Sequence, residues 1–275
     1  MTESKMFLAA FILYLLAAVL YLFFLVLKKE SAARNGYVLA AAGAVLHTLA
    51  LILRIFVSGH APFTNMYESL SFLAWASIAA YLVLERAFSI RKAGPFLLLL
   101  VIALMALASS PLMPKEAAPL VPALQSHWLW LHVSVTLIGE AFFAVGTLTS
   151  LLYLAAEWKE RKENAGKGGK DEKASAHYDA ISYRVIAIGF PLFTLGGLVF
   201  GMVWAYKAWG SYWSWDPKEV WTLITWFIYG LYLHTRIVMG WKGRRSALIA
   251  VIAFLAALFT FFGVNYLLSG LHSYA

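Results

Sequence analysis

The side chains of this sequence best suited to chemistry are its histidines and tryptophans, because none of its 275 residues is cysteine. A chain without cysteine has no thiolate metal site and holds no sulfur intermediate of its own. Imidazole is then the expected ligand for any transition metal. A metal site in this chain is therefore expected to be built on one or more of its seven histidines.

Six of the eleven tryptophans are concentrated in one short stretch, where an even spread would give about one. They are Trp204, Trp209, Trp213, Trp215, Trp221 and Trp226. An aromatic belt at the membrane interface is one explanation, but a belt is distributed over all helix ends at one level. Concentration in a single loop favours a broad platform for a flat aromatic ligand. The platform residues expected to contact that ligand are Trp209, Trp213, Trp215 and Trp221.

The same loop contains a helix start. Asp216 is followed by Pro217 and then by Glu219, which matches an N-cap, a first helical residue and a third helical residue. This pattern gives Asp216 and Glu219 a purely structural explanation. The predicted platform does not depend on them.

The overall composition indicates which elements position these residues. Hydrophobic residues make up 62% of the chain and charged residues 13%, which is too apolar for a soluble domain. Eight apolar runs occur, at residues 6 to 27, 37 to 57, 69 to 84, 95 to 108, 128 to 156, 181 to 204, 221 to 239 and 247 to 268. At about 20 residues per crossing of the lipid bilayer, they predict an all-α fold, a polytopic bundle of about eight transmembrane helices.

The distribution of lysine and arginine predicts the orientation of these helices. Seventeen of these residues lie in one set of alternating loops or beside it, and four lie in the opposite set. The first set is therefore expected in the cytoplasm, with both termini outside it. This asymmetry also explains the net charge of +8, so nucleic acid binding is not predicted.

The chain is predicted to have two parts. Residues 1 to 156 form five helices, with an outer loop at 58 to 70. Residues 157 to 180 are rich in charge and glycine and are predicted to be a flexible cytoplasmic linker. Residues 181 to 275 form three helices around the tryptophan-rich loop at 204 to 226. The glycines of GGLVFG at 196 to 201 lie in an apolar run and are expected to permit close helix packing.

The predicted topology places the histidines in different parts of the protein. Those in outer loops or at outer helix ends are His60, His127, His132 and His272, whereas His177 is expected to be a solvated residue of the linker. His132 lies near the outer start of the fifth helix and His272 follows the last, so both can reach over the tryptophan-rich loop. They form the natural pair of axial ligands for a haem on the platform. Hydrogen bonding at the interface is the other explanation, and the residues alone leave both open.

Four ionisable residues lie at membrane depth. Such residues are functional candidates because they are costly unless they are paired or face the bundle interior. His234 lies about 20 Å along its helix from the outer end, and packing is favoured for His47. Arg54 and Glu140 are expected to face the interior, where Arg54 meets either Glu140 or a haem propionate.

The chain resembles the CcsA (ResC) proteins of System II cytochrome c biogenesis, which handle haem and have a tryptophan-rich signature, the WWD domain. The most specific segment is WGSYWSWDPKEVWTLITWFIYGLYLHTR at 209 to 236. Three further segments carry the resemblance: GHAPFTNMYESLSFLAW at 59 to 75, LHVSVTLIGEA at 131 to 141 and GVNYLLSGLHSYA at 263 to 275.

The resemblance implies roles for particular residues. External histidines before and after the WWD segment are axial haem ligands in the family, and they correspond to His132 and His272, the expected catalytic pair. An intramembrane histidine after the segment binds haem in transit and corresponds to His234. Asp216, the aspartate of the signature, is expected to contact haem. The family works with CcsB (ResB), which can supply a second intramembrane ligand in place of His47.

The function implied is that of the haem-binding subunit of a System II cytochrome c synthase, a cytochrome c-type haem lyase active in complex with CcsB. Haem b is expected as bound substrate, and apocytochrome c with its CxxCH motif as the protein substrate. The location implied is the bacterial cytoplasmic (inner) membrane or the thylakoid membrane. The active site is then expected on the outer face, periplasmic or lumenal.

Three other functions are consistent with parts of this pattern. The first is a haem exporter or delivery protein without ligation activity. The second is a membrane cytochrome b, but His47 and His60 lie about 220° apart around a helix, and Ser58-Gly59 is expected to end that helix first. The third is a scaffold that only anchors a partner complex.

Overall fold

The computed structural model describes residues 2 to 113, 115 to 116, 120 to 164 and 173 to 271, and these residues form helices and short connections. The α-helices are α1 (Glu3–Leu27), α2 (Glu30–Ser58), α3 (Met66–Phe88), α4 (Gly94–Ser109), α5 (His127–Asn164), α6 (Lys173–Phe193), α7 (Gly201–Trp209), α8 (Pro217–Ile237), α9 (Arg244–Leu258) and α10 (Val264–Leu267). Two π-helices, Thr194–Phe200 and Phe259–Gly263, join α6 to α7 and α9 to α10. The prediction of an all-helical bundle is confirmed.

Each of the eight predicted apolar runs corresponds to a helix. Within the described ranges, seven helical stretches are long and apolar enough to cross a membrane. The remaining run, at 221 to 239, corresponds to α8, whose 21 residues span about 31 Å, but whose tyrosine, tryptophan and charged residues lower its hydropathy. The helix nevertheless runs the length of the bundle. Asp216 before its first residue contacts Leu271, and Arg236 near its last pairs with Asp179.

The connections between helices define two ends of the bundle. We call the end with the loops at 59 to 65, 110 to 126 and 210 to 216 the tryptophan-loop end, and the opposite one the linker end. Glu3 of α1 contacts Arg54 at the tryptophan-loop end, where α10 also ends, since Tyr266 contacts Met113. The first and last helices thus have their outer termini at one end. That this end faces away from the cytoplasm stays a prediction.

The segment between α5 and α6 is shorter than the predicted linker at 157 to 180. Helix α5 continues to Asn164 and α6 begins at Lys173, so only residues 165 to 172 separate them, and these lie outside the described residues. The charged sequence stabilises the extra helical turns through pairs four residues apart, such as Glu157 with Arg161 at 2.8 Å. Charge in this stretch therefore favours a solvated helix over an irregular chain.

A buried ion-pair network holds α1, α2 and α3 together at the tryptophan-loop end. The Arg54 Nε atom donates to Glu68 Oε1 at 2.8 Å, and its Nη1 lies 3.7 Å from Glu3 Oε2. Arg54 also donates to the Lys115 carbonyl and lies over the ring of Tyr67. The expectation that Arg54 faces the interior is confirmed. Its partners are Glu68 and Glu3 and not Glu140, because these two residues lie in the first turns of the helices adjacent to its own.

Loss of charge at Glu68 is expected to destabilise the fold. In the Glu68→Gln variant the buried Arg54 cation loses its main counter-charge, which costs about 3 kcal/mol. The free energy of unfolding would be measured in detergent micelles by circular dichroism.

The matched control for this variant is Glu163→Gln. It removes the same charge from an exposed pair, Lys159 with Glu163, and is expected to change the free energy of unfolding by less than about 0.5 kcal/mol. Equal effects of the two substitutions would contradict the importance of the buried network.

Candidate functional site

A cavity of about 280 Å³ lies at the tryptophan-loop end, between α3, α5, α7, α8 and the two π-helices. Its walls are mostly apolar, with Leu137 and Phe261 among the lining residues. Three thioethers line it as well, those of Met66, Met113 and Met202. Methionine adapts to irregular shapes and to aromatic surfaces. The cavity is therefore suited to a hydrophobic ligand held by a small number of polar groups.

His132, in the second turn of α5, lines this cavity and has a fixed orientation. Its Nδ1 lies 2.8 Å from the carbonyl oxygen of Gly196. A carbonyl only accepts hydrogen bonds, so Nδ1 is the donor, and in the neutral form of this ring Nε2 carries the lone pair. A backbone carbonyl bound to the second ring nitrogen is the usual arrangement around a metal-ligating histidine. Ligation of a metal by His132 stays a prediction.

An aromatic wall stabilises the same ring. The indole of Trp204 is almost parallel to the imidazole of His132, with 5.6 Å between centroids and 9° between planes. Trp204 is buried, and its Nε1 donates to the carbonyl of Ala123 at 3.0 Å. Trp209 packs edge-on against Trp204. These contacts limit rotation of the His132 side chain.

The π-helix Thr194–Phe200 supplies the carbonyl that His132 contacts. The Gly201 amide donates to the Gly196 oxygen five residues earlier, so this oxygen accepts two hydrogen bonds. A Cβ on Gly196 would overlap the backbone nitrogen of Thr136 in α5, and one on Gly201 would lie 3.1 Å from the His132 ring. The prediction that GGLVFG permits close packing is confirmed. π-Helices are frequent at functional sites, and both of those in the described residues border the cavity.

Polar residues form one side of the cavity. Lys218 Nζ donates to Asn265 Oδ1 at 2.9 Å, which links the start of α8 to α10. Glu140 of α5 lines the same cavity and is 7% exposed, so the expectation that it faces the interior is confirmed. Glu140 and Lys218 thus both line the cavity.

The tryptophan-rich loop does not form a single flat surface. Trp213 lines the cavity together with Tyr212, whereas Trp209 packs behind Trp204. Trp221 packs on Phe259 at the second π-helix, with ring centroids 4.3 Å apart. Of the predicted platform, the structure brings Trp213 to the cavity of His132.

Trp215 projects away from the bundle and is 72% exposed. Its backbone has a φ of +60°, a conformation that is rare for bulky residues. The Glu219 carboxylate holds this turn, because its Oε2 accepts hydrogen bonds from the amides of Ser214 and Asp216 on either side of Trp215. The exposed position of Trp215 is thus built into the loop, and contact of Trp215 and Trp221 with a ligand stays a prediction.

Asp216 begins α8 as expected from the sequence. Its Oδ1 accepts a hydrogen bond from the Lys218 amide at 2.9 Å, and the capping box with Glu219 is complete. Its other oxygen, Oδ2, accepts from the Leu271 amide. The structural explanation of Asp216 is confirmed, with an added contact to the C-terminal segment that no local motif indicates.

His272, the second predicted axial ligand, lies outside the described residues. Leu271, the residue before it, lies at the start of α8, at the same end of the bundle as His132. The pairing of His132 and His272 on one haem therefore stays a prediction.

His234 and His47 do not form one site. His47 is buried between α1, α2 and α3, with its Nε2 3.1 Å from Ser71 Oγ and its Nδ1 3.5 Å from Tyr14 Oη, in agreement with the packing expected for it. His234 is exposed on the surface of α8, facing away from the interior of this chain. The cytochrome b alternative is disfavoured, since α2 ends at Ser58 before His60.

The sequence gives no direct signal for several residues around His132. The Gly196 carbonyl is a backbone group, and only the glycine-rich pattern at 196 to 201 pointed to it. The role of Trp204 in stacking on the imidazole depends on contacts across 72 residues of sequence. The three methionines come from α3, the loop after α4 and α7, and no local pattern connects them.

The comparisons with known proteins cover most of the chain. The family model for the Cytochrome C assembly protein matches residues 63–272. The cytochrome c biogenesis protein CcsA of Synechococcus sp. (strain CC9605) is 42% identical over 289 residues, covering 97% of this chain and 94% of that protein. The chain belongs to the CcsA family. The resemblance to this family is confirmed, and so is a role in cytochrome c biogenesis.

Further comparisons agree on family and fold. The CcsA protein of Chlamydomonas reinhardtii is 44% identical over 236 residues, covering 84% of this chain and 65% of that protein. Among solved structures, the cytochrome c haem lyase CcmF matches with a TM-score of 0.71 at 18% identity, covering 95% of this chain. The chain spans about half of CcmF, 47% of its length, and this likeness shows a shared fold.

The close packing at Gly196 leads to a prediction for this CcsA protein. The Gly196→Ala substitution places a methyl group against the backbone of α5 and is expected to lower the free energy of unfolding by about 2 kcal/mol. In the control, Gly197→Ala, the new Cβ meets the side chain of Thr222 at 3.3 Å, which can move, so a change below about 1 kcal/mol is expected. Thermal unfolding in detergent measures both, and an equal loss would contradict the close-packing argument.

Proposed function

We propose that this CcsA protein is the haem-binding subunit of a System II cytochrome c synthase. It carries haem b to the outer face of the membrane and positions it for thioether attachment to the CxxCH motif of apocytochrome c. The observation that carries the proposal is His132, whose ring is fixed by Gly196 and Trp204 at the wall of an apolar cavity.

The donor set of the cavity suits haem better than a bare metal ion. Within the described residues, no group of three or more histidine, aspartate or glutamate side chains is arranged to hold an ion. A haem iron has four porphyrin nitrogens already and needs only one or two axial ligands. A single oriented imidazole in apolar surroundings is therefore sufficient for a first contact.

The size of the cavity agrees with a haem that is only partly enclosed. Its volume of about 280 Å³ is near the lower limit for small-molecule sites. A haem bound to His132 would therefore have part of its porphyrin outside the cavity. An exposed porphyrin edge is what the reaction requires, because the thiols of a protein substrate have to reach the vinyl groups.

The reaction needs positioning more than acid or base groups. Each thiol adds across one vinyl double bond, so that sulfur bonds to one carbon and the hydrogen to the other, with no leaving group. Haem supplies the reactive carbons, and the protein holds them at a fixed place and excludes side reactions. His132 keeps the iron ligated until the histidine of the CxxCH motif replaces one of the axial ligands, which are His132 and His272.

His234 indicates where haem enters. An exposed imidazole on a transmembrane helix is costly against lipid, so we propose that the partner CcsB covers this face of α8. His234 and a ligand from CcsB then hold haem in transit. The outward position of His234 supports a shared site between two chains and not one within this chain.

Loss of His132 is expected to remove haem from the outer site. In the purified complex with CcsB, His132→Ala should retain at least about tenfold less haem, since changes around metal-ligating histidines commonly cost 10–100-fold. Added imidazole should partly restore the spectrum. The control is His127→Ala, which removes an exposed imidazole at the same end of the bundle. Unchanged haem in the His132→Ala variant would overturn the ligand assignment.

Reconstitution with reduced haem and a CxxCH peptide separates a synthase from an exporter. The proposal expects covalent product from the complex of CcsA and CcsB, and an exporter would transfer haem without product. When haem is added on the outer face, His234→Ala should still form product, because the transit site is bypassed, whereas His132→Ala should not. Transfer of haem to the peptide without any thioether would support the exporter and refute the synthase.

A further inference from the structure

The side-chain oxygens of Asp216 accept hydrogen bonds from two different parts of the chain. Its Oδ1 accepts from the amide of Lys218 inside α8 at 2.9 Å, and its Oδ2 accepts from the amide of Leu271 at 2.5 Å. The first bond caps the helix, and the second joins residues that are 55 apart in the sequence. The side chain is 6% exposed, so water does not easily replace either partner.

The C-terminal segment is shaped to reach this carboxylate. Helix α10 ends at Leu267, and Leu268 has an extended backbone. A Cβ on Gly270 would overlap Asp216 Oδ2, so a glycine is needed for so close an approach. The Lys218 ammonium also donates to Asn265, which gives a second link between the start of α8 and the end of the chain.

The electrostatics favour an ionised carboxylate at this position. The first turn of α8 presents backbone N–H groups and the positive end of its dipole to Asp216. Hydrogen bonds to a charged acceptor are stronger than those between neutral groups. The Leu271 backbone is therefore held to α8 by a stronger contact than an ordinary loop hydrogen bond.

A helix cap alone does not explain this use of an aspartate. Asn, Asp and Ser cap helices about equally well, and a cap needs one acceptor. Asp216 uses both oxygens, one for the helix and one for the segment that leads to His272. In an amide side chain one of these oxygens is replaced by an NH2 donor, so either the amides of α8 or the amide of Leu271 would lose its acceptor.

We propose that Asp216 is a positioning residue. It holds the backbone at Leu271 and thereby sets the place from which His272 ligates haem, instead of contacting haem itself. This inference rests on the proposed function, in which His272 is an axial ligand. In this role the aspartate of the tryptophan-rich loop acts on the C-terminal segment.

The experiment measures separately how readily the C-terminal segment is released and how the haem is ligated. Because the chain has no cysteine, Ser273→Cys provides a single thiol whose reaction with a maleimide reports release of the segment. This rate is measured in the complex with CcsB before haem is added. In Asp216→Asn and in Gly270→Ala, labelling should be at least about tenfold faster, the ratio expected for loss of a hydrogen bond to a charged group.

The haem spectrum tests the consequence for ligation, without the Ser273→Cys change. Asp216→Asn should lose the signature of the second axial imidazole, recover it with added imidazole, and have no further effect when combined with His272→Ala. The matched control is Ser126→Ala, which removes the hydrogen bond from the Trp128 amide at the start of α5, at the same end of the bundle. It should change neither the labelling rate nor the spectrum.

Each outcome decides a different point. Unchanged labelling in Asp216→Asn and Gly270→Ala would overturn the contact as a tether. Faster labelling with an unchanged spectrum would overturn the positioning role. In that case the spectrum of His272→Ala shows whether the proposed function has failed as well, because an effect there preserves His272 as a ligand and its absence removes it.

Discussion

The hydrogen bond from His132 to the carbonyl of Gly196 is the contact on which the geometry of the cavity depends. It fixes the tautomer of the imidazole and directs its ring along Trp204. The bond requires α5 and the π-helix to approach so closely that no side chain fits at Gly196. It also requires one oxygen to accept from both His132 and Gly201. A local change of helix type therefore determines how a side chain on the neighbouring helix is presented.

Features imposed by the bilayer or by local geometry could be predicted from the sequence. Helices need about 20 apolar residues to cross the membrane, which makes each crossing visible as a run. The start of α8 is encoded within four residues from Asp216 to Glu219, because a cap contacts only its own first turn. His132 could be selected as a ligand candidate by its type and its place at a helix end. Each of these inferences uses information that is adjacent in the chain.

Contacts between distant parts of the chain were not predictable in the same way. Arg54 pairs with Glu68 and Glu3, but the sequence offers several acidic residues at compatible depth and does not rank them. No local sequence pattern indicates the hydrogen bond between Asp216 and Leu271. The charged stretch after residue 156 was expected to be flexible, and its pairs instead extend α5 to Asn164. In each case the partner is decided by how helices pack.

The tryptophans of one loop have different structural roles. Their number alone therefore overestimates how many of them form a platform for a ligand. Trp221 packs between helices, Trp213 lines the cavity, and Trp215 is exposed. The φ of +60° at Trp215 costs on the order of 1–3 kcal/mol, which the two hydrogen bonds to Glu219 offset. Strain of this kind persists only where surrounding contacts impose it. Under the proposed function, an indole held outwards would leave one porphyrin edge accessible to the protein substrate.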